Sequence, residues 1–141
     1  MITLDTNVMS SVMNDTPDEA VVYWLDRQPR LSLWITSITV LEIRFGLAIM
    51  AAGRRRSRLN EAFEIAVNEK LDRRIISFDE VSAEAAAALM AIRQQRGRSG
   101  ELRDALIAGI ALAHRATLAT RNTRHFNDLS IPIVNPWESD V

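Results

Sequence analysis

Apolar residues in this chain alternate between short continuous runs and longer stretches that repeat every three or four positions, the signature of strands interleaved with helices. Ile2–Leu4 is a short apolar run ending at Asp5 and reads as a buried strand. Asn14-Asp15-Thr16-Pro17 reads as a turn, with Thr16 as cap and Pro17 at the first position of a helix to about Arg27. Leu31–Ile35 is a second strand, after which Thr36 or Ser37 caps a helix through Ala52 that Gly53 closes. A further helix runs from Ser57 to about Leu71, Arg74–Phe78 is a third strand, and Asp79 caps a helix from Glu80 to Arg96 closed by Gly97. Ser99-Gly100 precedes a helix from about Glu101 to Arg115, followed by strands at Thr117–Ala119 and Ile131–Val134. Pro132 sends the last of these to a sheet edge. Short apolar strands separated by helices predict an α/β fold with a central, mainly parallel, four- to five-stranded sheet flanked by helices. At 141 residues the chain reads as one domain, residues 1–141.

That architecture says where to look for chemistry, because ligands of parallel sheets bind beyond the carboxyl ends of the strands. Asp5 and the segment Thr120–Asn122 fall there. Asp5 reads either as the cap of the next helix, with Thr6 and Asn7 making local turns, or as a reactive carboxylate at the sheet edge. Glu42 shares a helical face with Ile38, Phe45 and Ile49, while Arg44 points elsewhere. Its structural alternative is a pairing with a distant arginine. Asp104 lies in the first turn of a helix that is apolar on every side, and it shares a face with Ile107, Ala108 and Ala111. Placement at a helix N-terminus would contribute only ~0.3–1 kcal/mol and does not require an inward aim. A buried carboxylate is costly unless it is paired or binds a cation. Three acids in apolar settings, in a chain whose one lysine is Lys70, therefore point to a cation site.

Composition narrows the cation. With no cysteine and only His114 and His125, thiolate chemistry and classical zinc sites are excluded, leaving oxygen ligands and hence Mg²⁺ or Mn²⁺. A net charge of −1 gives no global attraction to nucleic acid. The basic residues are 16 Arg to one Lys, clustered at Arg54-Arg55-Arg56-Ser57-Arg58 and at Arg93, Arg96 and Arg98. These clusters read as solvated helix ends or as phosphate and partner contacts. The N-terminus lacks a basic stretch before an apolar run, and no apolar stretch reaches the roughly 18 residues of a membrane span, so a cytoplasmic protein is expected.

In order and spacing, Leu4-Asp5-Thr6-Asn7, the helical Glu42, the helix-start Asp104, and Ala119-Thr120-Arg121-Asn122-Thr123-Arg124-His125-Phe126 resemble the PIN-domain ribonucleases. The VapC/FitB-type toxins of bacterial toxin–antitoxin pairs are similar in length and in their Asn-Pro-Trp segment, here Asn135-Pro136-Trp137. The resemblance implies that Asp5, Glu42 and Asp104 are the catalytic, metal-binding acids, with Thr6, Asn7, Thr120, Asn122 and His125 lining the site. It further implies an Mg²⁺-dependent endoribonuclease acting on single-stranded or looped RNA, a homodimer, and a small antitoxin partner. The chain departs from the family at its fourth acid: Asn122 and His125 stand where a carboxylate is common, which puts a second metal ion in doubt. A catalytically weak RNA- or partner-binding module is the alternative this departure raises. An Asp-nucleophile phosphotransferase would want an acid at the position of Asn7 and a lysine near the site.

Overall fold

The computed structural model describes residues 1–138. Strand β1 (Ile2–Leu4) leads directly into helix α1 (Thr6–Met13), then α2 (Glu19–Asp26), β2 (Leu33–Thr36), α3 (Ser37–Ile49) and α4 (Arg54–Ile65). β3 (Ile75–Ile76), α5 (Glu80–Gln95), α6 (Leu102–Ala113), β4 (Thr117–Ala119) and β5 (Ile133–Val134) complete the order. The sheet is parallel throughout, in the order β3-β2-β1-β4-β5, with Thr3 opposite Trp34 and Leu4 opposite Ala119. β5 is an edge strand, as expected, but it begins at Ile133 and not Ile131, which leaves Pro132 just outside it.

Period-two alternation splits the strand side chains between two cores, one on each face. Leu4, Leu33, Ile35 and Ala119 pack with Val8, Met9, Trp24 and Phe63 from α1, α2 and α4. Leu118 and Ile76 pack with Leu89, Ile107, Ile110 and Phe126 on the side of α5 and α6. The result is a sheet covered by helices on both faces, the arrangement that buries parallel strands completely. Gly109 sets the closest of these contacts. A Cβ there would lie 2.6 Å from the Ser82 carbonyl and 2.7 Å from Ala86 Cβ, so only glycine lets α6 seat against α5. Among the described residues no helix is long and apolar enough to cross a membrane.

Several boundaries differ from the sequence expectation. Asp18, not Thr16, caps α2 by accepting from the Ala20 amide, so the helix starts two residues after Pro17. Leu31 is 75% exposed in a short 3-10 turn, and β2 starts only at Leu33. Thr36 caps α3 as expected, but α3 stops at Ile49, and Gly53 opens α4 instead of closing α3. Of the apolar residues on α3 and α4, Ile43, Leu47 and Phe63 are core. Leu41, Phe45 and Ile49, spaced one turn apart, are the exposed apolar row, 50–69% accessible. Glu42 therefore borders an exposed apolar face and not a buried one.

Candidate active site

β1 ends by handing its ladder to the site. The Asp5 amide donates to Ala119 O at 2.9 Å and the Thr120 amide to Val134 O at 2.9 Å, placing Asp5 and Thr120 side by side at the carboxyl end of the sheet. Asp5 then turns the chain into α1 as its N-cap, Oδ1 accepting from the Thr6 amide at 2.8 Å. Cap and site residue are thus one role, and Thr6 and Asn7 are helical instead of forming turns. The Thr120 hydroxyl donates to Asp5 Oδ2 at 2.7 Å while receiving the Asn122 amide at 3.0 Å. Asn7 Nδ2 reaches Asp5 Oδ2 at 3.3 Å, and Asn7 Oδ1 accepts from the Arg121 amide at 3.2 Å.

Glu42 is oriented by a chain of threonine hydroxyls. A carboxylate only accepts, so Thr6 donates to Glu42 Oε1 at 2.8 Å. Thr6 has then spent its proton, so Thr39 must donate to it at 3.0 Å, and Thr36 is placed to donate weakly to Thr39 at 3.5 Å. Thr36 and Thr39 are fully buried, so the direction of this chain is fixed by the protein. On the other side, Glu42 Oε2 lies 3.8 Å from Arg103 Nη1. The distant-arginine partner is thus real but loose, and Arg44 pairs with Glu64 instead. Asp104, in the first turn of α6, bonds His125 Nδ1 through Oδ2 at 2.9 Å. The three residues on its face, Ile107, Ala108 and Ala111, are buried as expected.

These side chains share one cavity of about 630 Å³, lined by Asp5, Thr6, Asn7, Glu42, Asp104, Asn122 and His125. Thr120 is the exception. It is fully buried behind Asp5 and acts through that carboxylate without reaching the wall. Arg121, within the segment the sequence placed at this end of the sheet, lines the cavity too, as do Asp18, Glu101 and Trp137, which the sequence did not suggest for this site. Thr39 was likewise missed, although its i, i+3 relation to Glu42 was readable.

The electrostatics are those of a site short of positive charge. Burial pushes the Asp5 carboxyl above its ordinary value. The Thr120 and Thr6 bonds oppose that shift, and the neighbouring charges of Asp104 and Glu42 add to it. Among the described residues no three acidic or histidine side chains already stand close enough together to ligate one ion. The donor set nonetheless suits Mg²⁺ or Mn²⁺: it consists of carboxylate and hydroxyl oxygens around a roomy cavity, and Mg²⁺ keeps several waters that bridge such gaps.

The PIN domain family profile matches residues 2–131. The chain is 41% identical to "VapC ribonuclease Y4jK" of Sinorhizobium fredii over 98% of its own length and 99% of that protein's. It is 35% identical to "Toxin FitB" of Neisseria gonorrhoeae over 97% and 99% of the two chains. Among solved structures, that of FitAB bound to an IR36 DNA fragment superimposes with a TM-score of 0.89 at 34% identity, covering 100% of this chain and 99% of the other. The fold is that of a PIN domain. The chain belongs to the PIN-domain family.

Proposed function

We propose that this protein is a metal-dependent endoribonuclease, the toxin of a toxin–antitoxin pair, cutting single-stranded or looped RNA in the cytoplasm. The observation that carries the reading is Asp5: a carboxylate only 4% exposed, its acidity weakened by burial and by two neighbouring acids, facing a cavity at the carboxyl end of a parallel sheet. Such a group is held ionised most readily by a cation. Asp5, Glu42 and Asp104 are the residues we assign to hold Mg²⁺ or Mn²⁺. Bound there, the ion would supply an activated water and neutralise charge on the scissile phosphate.

The chain's own residues prepare that event. Thr120 and the Thr36–Thr39–Thr6 chain keep the lone pairs of Asp5 and Glu42 turned in fixed directions. Because Asp104 accepts at Nδ1, neutral His125 carries its proton there and leaves Nε2 as an acceptor; protonated, it becomes a second donor for a phosphate oxygen. Asn122 brings no charge to the wall, which favours a single tightly held ion. The names of the relatives, a VapC ribonuclease and a FitB toxin, support the activity and the pairing with an antitoxin. The exposed row Leu41, Phe45 and Ile49 is the face we assign to protein contact, including a homodimer, and light scattering of the isolated protein tests it. Cleavage of a generic single-stranded RNA with Mg²⁺ is expected, and its loss in EDTA. Binding of RNA without any Mg²⁺-dependent cleavage would instead favour the weak binding module that the missing acid at Asn122 suggests.

A further inference from the structure

The open cavity of about 630 Å³ has room for more than a hydrated ion, and falls in the size range of sites that take a small organic group. Apart from His125, its wall contains one aromatic ring, Trp137, and the guanidinium of Arg121 lies over that ring at 5.1 Å from the centroid. Arg121 faces a cavity whose wall includes Asp5, Glu42, Glu101 and Asp104, yet among the described residues it makes no ion pair. Its cation is spent on the indole face instead.

Both partners are anchored before any ligand arrives. The Arg121 amide is held by Asn7 Oδ1 at 3.2 Å, and the Trp137 amide by Asn135 Oδ1 at 2.9 Å. Trp137 is half-buried and packs against the core that includes Leu4 and Val8, so it does not have to be ordered on binding. A guanidinium over an indole ring brings together two planar groups on which a nucleobase can stack. Unpaired RNA bases stack on aromatic rings and on arginine planes, whereas bases in a duplex are already stacked and hidden.

We propose that Arg121 and Trp137 form a stacking platform for an unpaired nucleobase adjoining the scissile phosphate, and that this platform makes the site select single-stranded RNA. The inference rests on the ribonuclease reading for its substrate class, but its test does not require cleavage. Binding of a short fluorescein-labelled single-stranded oligoribonucleotide is measured by anisotropy in EDTA, beside a ribose-phosphate strand of equal length that carries no bases. Trp137→Ala should weaken RNA binding about 5- to 100-fold and leave the baseless strand unaffected, while Trp137→Phe stays within about 3-fold of wild type. Arg121→Lys keeps the charge but loses the plane, so it should weaken RNA binding about 5-fold without altering the baseless strand. Equal losses on both strands, or full RNA affinity in Arg121→Lys, would overturn the platform in favour of a plain phosphate contact. Should Trp137→Ala fail to fold, the exposed Arg121→Lys decides alone by the same two outcomes. Base-dependent binding without Mg²⁺-dependent cleavage would sink the nuclease reading and keep the platform; cleavage with no base dependence at Arg121 or Trp137 would do the reverse.

Discussion

Two groups of charged residues lie below the surface of this protein, about 20 residues apart in sequence at Asp104 and Asp128, and they are built on opposite principles. Arg93 and Asp128, with side chains 6% and 10% exposed, form a two-pronged pair at 2.9 Å, and Arg93 also donates to His125 O at 2.8 Å. Hydrogen bonding to Arg93 lowers the Asp128 pKa and raises that of Arg93. Asp5, by contrast, is raised by burial and by like charges, and the nearest cation in its cluster, Arg103, stands 3.8 Å from Glu42. The first group is complete in itself, so it is architecture. The second has no such matched cation on Asp5, and on the function proposed above a bound metal ion would complete it.

The comparison breaks most visibly at Asp5. Asp5→Asn should reduce RNA cleavage by orders of magnitude, while the metal-free variant melts at or above the wild-type temperature because a buried repelling charge is gone. Wild type should gain melting temperature on adding Mg²⁺ and the variant should not. Full cleavage by Asp5→Asn would remove this residue from the site. Glu42→Gln and Asp104→Asn should each abolish cleavage nearly as completely, and the double variant should lose little more, since groups holding one ion act as a unit. Losses that multiply independently would rule out a shared ion.

On the structural side, Arg93→Met leaves Asp128 buried without its main partner and should cost about 3 kcal/mol in denaturant unfolding. Acid titration sharpens the contrast because the two aspartates carry opposite signs. Asp5 has a folded value above its ordinary 3.8, so its ionisation opposes folding. Stability from that group should rise as pH falls from the raised value toward 3.8. Asp128 is lowered from 3.8, so its contribution is complete above that value and is lost as pH falls below it. Metal-free melting should therefore show a stabilising limb that Asp5→Asn removes and, at lower pH, a destabilising limb that Asp128→Asn removes. The smallest effect is expected at Asn122→Asp, where an added carboxylate on the wall should tighten binding of a second Mn²⁺ in calorimetry without changing the first. Unchanged stoichiometry and affinity would take Asn122 out of reach of the ions.

The sequence disclosed what local chemistry decides. β1 and β4 end where apolar runs meet Asp5 and Thr120, and the caps Thr36 and Asp79 start their helices as side-chain acceptors should. It misled wherever a tertiary partner decides. Arg93 read as part of a solvated cluster, yet it lies in register with Ala86 and Leu89 on the buried side of α5, a spacing that marked it for the interior once Asp128 supplied a partner. Phe45 and Ile49 read as part of an apolar face around Glu42, and the structure leaves that part of the face open to solvent. The acids were legible because helix phase and strand ends fix their direction. The link from Thr39 through Thr6 to Glu42 and the ring of Trp137 were not, because Thr6 and Trp137 arrive from separate segments.

The position of β1 in the middle of the sheet has a consequence in time. It is the first strand to be synthesised, but its neighbour β4 is among the last, and the Thr120–Asp5 bond joins residues 115 apart. At about 5–20 residues per second, the ribosome takes roughly ten seconds to travel from one to the other. Until Thr120 is made Asp5 lacks its hydroxyl partner, and for most of that interval it lacks the Asp104 side of the cavity as well, so the cluster cannot assemble early on a growing chain. The acidic cluster is completed in one late step of synthesis, not gradually along it.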